Sequence, residues 1–127
     1  PVVMVGLDLT HQALADQAVL DAIAAVPGRP AAFTLELLDF FRGTYREQGF
    51  AWPPVHDACA VAYVLDPGCM TVRPATIDVE LHGELTTGQT VVDLRHPAPA
   101  GCTTSVALTL DAPRMWAHVV DALARLA

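Results

Sequence analysis

Val2-Val3-Met4-Val5-Gly6-Leu7 is an uninterrupted apolar run. A strand with one face in water alternates polar and apolar residues. One that does not alternate is buried on both faces and belongs inside a parallel sheet covered by helices. The run therefore sets the class as α/β, and the segments after it agree. Residues 13–25 carry a helical pattern stopped by Pro27-Gly28. Across residues 31–48, Phe33, Leu37, Leu38, Phe41 and Tyr45 recur at spacings of three and four, which gives a helix one apolar face; Gly49 ends it. Thr76-Ile77-Asp78-Val79-Glu80-Leu81 alternates with period two, as do residues 89–94 and 103–110. Residues 76–110 thus read as a small antiparallel unit, with a turn at 83–88 and a loop at 97–101. Residues 112–126 form a last helix, with Pro113 suited to its first turn. A doubly buried strand needs neighbours on both sides, and an antiparallel unit offers few. The order predicts one stretch, 1–127, of a larger mixed-sheet domain whose neighbouring strands lie elsewhere.

Composition narrows the function. Of 127 residues 53% are apolar, enough for a real core, yet no run reaches the ~18 apolar residues of a membrane span. The net charge is −7, with seven Arg and no Lys, which argues against a nucleic-acid partner and gives no support for an anionic membrane surface. Cys59, Cys69 and Cys102 are odd in number and form no CxxC pair, so neither a disulfide framework nor a structural zinc site is expected. A reducing cytoplasm is the simplest setting.

The most informative chemistry lies in Pro53-Pro54-Val55-His56-Asp57-Ala58-Cys59, at the mouth of an apolar helix over residues 57–65. Two prolines force an extended approach, and Asp66-Pro67 closes the helix. Asp57 either caps that helix or, with His56, faces a metal, a sugar hydroxyl or a departing base. Asp8, Thr10 and His11 follow the first strand, where ligand loops gather, and Asp8 or Thr10 can equally cap a helix. Cys59, three residues beyond His56, permits a Cys-His hydrolase, although its alanine neighbours suit an inert buried thiol better. His82 and Glu84 form an H-x-E without the P-C-x-x-C partner of a zinc deaminase; His96 and His118 show no partner.

Three segments together resemble the C-terminal part of the inosine-uridine-preferring nucleoside hydrolase family. They are Met4-Val5-Gly6-Leu7-Asp8-Leu9-Thr10-His11-Gln12, Pro54-Val55-His56-Asp57 with its helix, and Val79-Glu80-Leu81-His82-Gly83-Glu84-Leu85-Thr86-Thr87-Gly88-Gln89-Thr90-Val91-Val92-Asp93-Leu94. The resemblance implies a calcium-dependent enzyme that hydrolyses the N-glycosidic bond of ribonucleosides to ribose and free base. It implies that Asp57 is a calcium ligand, that His56 lies near the leaving base as a candidate general acid, and that Phe40, Thr44 and Gln48 line the base pocket. Ala58 and Thr87 depart from the residues common at those places in the family. The larger departure is that the family's N-terminal D-x-D-x-x-x-D-D motif, which holds most of the calcium, has no counterpart here; Asp8 and Asp16 do not supply it. The expectation is a C-terminal portion, inactive alone, whose exposed edge pairs with the missing N-terminal half or with another copy. The alternative is a non-catalytic nucleoside-binding or assembly module.

Overall fold

The computed structural model describes residues 1–127. Its elements run β1 (Val2–Met4), α1 (Leu7–Thr10), α2 (Gln17–Ala24), α3 (Arg29–Glu47), α4 (Asp57–Leu65), a 3₁₀ turn (Pro67–Cys69), β2 (Met70–Pro74), β3 (Ile77–Val79), β4 (Thr90–Val92), β5 (Thr104–Leu110) and α5 (Ala112–Arg125). The chain is mixed α/β, as the first strand predicts.

Local chemistry explains most boundaries. The Asp16 carboxylate accepts from Val19 N and starts α2. Pro30 sits in the first turn of α3, where a missing N–H costs nothing. Gly28 precedes it at φ 101°, with the Ala127 Cα 3.2 Å from where a Cβ would stand. Asp111 caps α5 through Arg114 N. Helix α4 occupies the residues its flanking prolines delimit.

The main sheet has the order β1-β5-β2. Strand β5 is its centre, parallel to β1 with Val2 opposite Thr104, and antiparallel to β2 with Met70 opposite Leu110. This corrects two sequence expectations. Residues 103–110 do not belong to the antiparallel unit, which consists of β3 and β4 alone. Strand β2 is an addition to the sequence reading: Met70-Thr71-Val72-Arg73 alternates for only four residues before Pro74, too short a run to stand out, and Pro74 is tolerated because it ends the strand. The first strand also stops at Met4, and Leu7–Thr10 turns into a short helix. Among residues 1–127 strand β1 has β5 as its one neighbour and leaves Val2 62% exposed, the open edge expected of a strand whose other neighbours lie elsewhere.

The core lies where α1, α2, α4 and α5 meet β5. Leu9, Ile23, Cys59, Cys69 and Met115 are fully buried there, joined by Leu38 and Trp116. Asp66, at the end of α4, ties that helix to α5. It receives Nε and Nη2 of Arg114 at 2.5 and 2.8 Å, and His118 Nε2 at 2.8 Å. These contacts, His118 first, hold its carboxyl below the ordinary value. His118 thus has a partner that its isolated place in the sequence did not reveal. No helix is long and apolar enough to cross a membrane.

Candidate functional site

Two chain segments far apart in sequence build the site. Pro53 and Pro54 keep their segment extended, and it pairs antiparallel with the stretch after α1. Ala15 N donates to Pro53 O at 2.9 Å, and Val55 N donates to Ala13 O at 3.0 Å. That bridge brings the end of α1 against the start of α4. Thr10 and His11 therefore stand beside His56.

His56 is half-buried and heads α4, with Asp57 in the first turn. Its Nδ1 lies 2.8 Å from Thr10 Oγ1, and its Nε2 lies 3.1 Å from Tyr45 Oη. Both ring nitrogens are thus engaged by hydroxyls, which can donate or accept. The His11 ring sits 5.5 Å from the His56 ring, centroid to centroid. Phe50 meets His11 edge-on at 6.1 Å and Tyr45 at 5.7 Å. His11, Phe50 and Tyr45 thus form a chain of three rings beside the His56 imidazole, and Phe50 meets both of its neighbours edge-on, as π-quadrupoles favour.

His56 and Asp57 both line an open cavity of about 290 Å³, walled on the α3 side by Thr34, Leu37, Phe41 and Tyr45. No side-chain cap bond forms at this helix start, so Asp57 does not serve as the cap. Its carboxylate is exposed, near the positive end of the helix dipole. Phe40, Thr44 and Gln48 lie on the exposed face of α3, one step round the helix from Leu37 and Phe41, and do not themselves line this cavity.

Other candidates are not drawn in. Cys59 is fully buried, donates its thiol to Val55 O at 3.2 Å, and has its pKa pushed up to about 11, mainly by burial. With both His56 nitrogens already engaged, the Cys-His hydrolase reading is corrected: Cys59 is a core residue. His82 and Glu84 are exposed, and the turn that carries them is organised by Glu80, which accepts from His82 N and Gly83 N. Asp8 is exposed beside a different cavity, on the β4 and β5 side of β1.

Sequence reasoning missed Tyr45 and the role of Thr10. In sequence Tyr45 reads as one of the apolar residues of α3, and Thr10 as a cap. Their one signal is a hydroxyl: Tyr45 supplies the polar atom at the end of an otherwise apolar face, and Thr10 is the polar side chain that is buried, at 3% exposure.

Comparison with known proteins identifies the family. The family model for inosine-uridine preferring nucleoside hydrolase matches residues 1–117. The inosine-uridine preferring nucleoside hydrolase of Leishmania major is 52% identical over 125 residues, covering 98% of this chain and 40% of that protein. That of Crithidia fasciculata is 48% identical over 126 residues, with the same 98% and 40% coverage. The solved purine-preferring ribonucleoside hydrolase from Gardnerella vaginalis superposes with a TM-score of 0.80 at 29% identity, over 100% of this chain and 42% of that one. The chain spans about two-fifths of the length of these relatives, and it belongs to the inosine-uridine preferring nucleoside hydrolase family.

Proposed function

We propose that residues 1–127 carry the leaving-group side of a site that hydrolyses the N-glycosidic bond of ribonucleosides, completed by the rest of a longer protein. The observation that carries this is His56, held by two hydroxyls at the wall of a cavity that it shares with the uncapped Asp57 carboxylate. The relatives' names describe nucleoside hydrolases, which adds the reaction class.

Cleavage of that bond sends electrons into the base and leaves positive charge on the ribose. A base departs more easily if a proton reaches it as the bond breaks, and an imidazole is suited to give one near neutral pH. His56 is in place to do so. Phe41 and Tyr45, on the cavity wall, offer flat faces on which a planar base can stack. Phe40, Thr44 and Gln48, four residues apart on the adjoining face of α3, extend that wall toward a base seated further out.

Asp57 fits as one calcium ligand: a hard carboxylate, exposed and not spent on capping its helix. One carboxylate is not a site, since calcium takes 6–8 oxygens. No group of three His, Cys, Asp or Glu side chains converges among residues 1–127. The remaining ligands are therefore proposed to come from the rest of the protein. When bound, calcium would hold the sugar hydroxyls and acidify a water.

The test uses the complete protein with inosine and uridine. His56→Ala should lower turnover by roughly 10²–10⁴ and leave calcium affinity intact. Asp57→Asn should weaken calcium binding and turnover together. Full turnover in His56→Ala would overturn the reading, as would calcium titration curves that Asp57→Asn leaves unmoved.

A further inference from the structure

We infer that Thr10 is the residue that positions His56, fixing the orientation of its ring and the nitrogen that carries its resident proton. This rests on the proposed role of His56 at the leaving base.

Thr10 is 3% exposed, and burying a hydroxyl without partners is costly. It has two partners. In the proposed assignment the hydroxyl hydrogen goes to the Leu7 carbonyl, 3.4 Å away, which can only accept. A lone pair of Oγ1 is then left for His56 Nδ1 at 2.8 Å, and Nδ1–H donates to it. The second nitrogen, Nε2, is thereby the one without a resident proton, and it accepts from Tyr45 Oη at 3.1 Å. Tyr45 lines the cavity, so the nitrogen that exchanges its proton lies on the side where a base would sit.

The anchor is rigid. Thr10 closes α1, where its own N–H bonds Gly6 O at 3.0 Å. Just beyond it Gln12 is clamped to the central strand, donating to Leu108 O and accepting from Leu110 N, both at 2.9 Å. The Ala13–Val55 bond then fixes the distance between the two segments. A histidine whose task is to deliver a proton in one direction needs such a fixed second nitrogen; otherwise the ring rotates or adopts the other tautomer.

Two substitutions separate the hydroxyl from the shape of Thr10. Thr10→Val keeps the branched outline and loses the hydroxyl, whereas Thr10→Ser keeps the hydroxyl and loses a methyl. In the complete protein Thr10→Val should cut kcat by about tenfold or more while KM for inosine stays within about twofold, and Thr10→Ser should stay within about threefold of the parent. Nitrogen-15 spectra of histidine-labelled protein should show neutral His56 as the Nδ1–H tautomer in the parent and in Thr10→Ser, with that preference lost in Thr10→Val. Parent-like turnover and tautomer in Thr10→Val, or equal impairment in both variants, would overturn the inference. If His56→Ala retained turnover, the role of His56 would fall, while the tautomer spectra would still decide whether Thr10 holds the ring.

Discussion

Leu9→Ala tests whether the short helix that presents Thr10 is anchored as described. Leu9 is completely buried, next in sequence to Thr10, and α1 packs on β5. The substitution removes three carbon groups, worth about 2.4 kcal/mol at ~0.8 kcal/mol each. Ala13, Ala15 and Ala107 belong to the same cluster, and their side chains are too short to swing into a void. If about 40–60 Å³ stays open, the cavity adds about 1–1.4 kcal/mol. The loss should total about 3.5 kcal/mol. At an m-value near ~3 kcal/mol per M, the urea midpoint of the complete protein, followed by far-ultraviolet circular dichroism, should fall by about 1 M. Leu85→Ala is the control: at 98% exposure it should change stability by less than about 0.5 kcal/mol. A midpoint shift in Leu9→Ala no larger than in the control would mean that α1 is not packed on the sheet, and the geometry at His56 would lose its foundation.

Asp66→Asn should flatten the acid limb of stability. The folded carboxyl is held below its ordinary value of 3.8, so its contribution is present above that pH and fades as pH falls through the depressed folded value; thermal melts from neutral pH down to about pH 2 would show it, and identical acid slopes in both proteins would contradict it. Gly28→Ala should cost on the order of 1–3 kcal/mol, because φ there is 101° and the Ala127 backbone stands 3.2 Å from the new Cβ; denaturant titration measures it, and a neutral result would mean that the turn before α3 is differently built. Cys102, half-buried with its pKa lowered by its bonds to Thr104, should alkylate well before Cys59, whose pKa is pushed up to about 11. Timed iodoacetamide labelling at pH 8 with peptide mass spectrometry gives the order, and early labelling of Cys59 would reopen a reactive role for it.

Helix α4 was legible to the residue because proline chemistry at both ends is local. His56 and Asp57 were legible for the same reason, as they sit on that boundary. What the sequence could not display was pairing across distance. Residues 103–110 alternate as a strand, yet nothing in their pattern says that they pair with β1 on one side and β2 on the other. Strand β2 was hidden because its alternation runs for only four residues before Pro74, while the central strand beside it supplies the order. Thr10 and Tyr45 were hidden in the same manner: each has an ordinary local role in its helix, and the contact with His56 exists only once residues 13–15 pair with residues 53–55.

The pairing of Val2 with Thr104 has a consequence for how the polypeptide is made. A ribosome adding ~5–20 residues per second needs roughly 5–20 s to travel from one partner to the other. Throughout that interval Val2, Val3 and Met4 have no partner strand of this segment to bond, and neither does the Gln12 side chain that will grip Leu108 and Leu110. Closing so long a loop also slows the search, since contacts between distant residues must overcome chain entropy before they are rewarded. Nascent chains stalled between α4 and β5 should therefore be protease-sensitive around β1 and bind hydrophobic-segment chaperones. Chains released past Leu110 should lose both properties together, as the last strand arrives in the middle of the sheet.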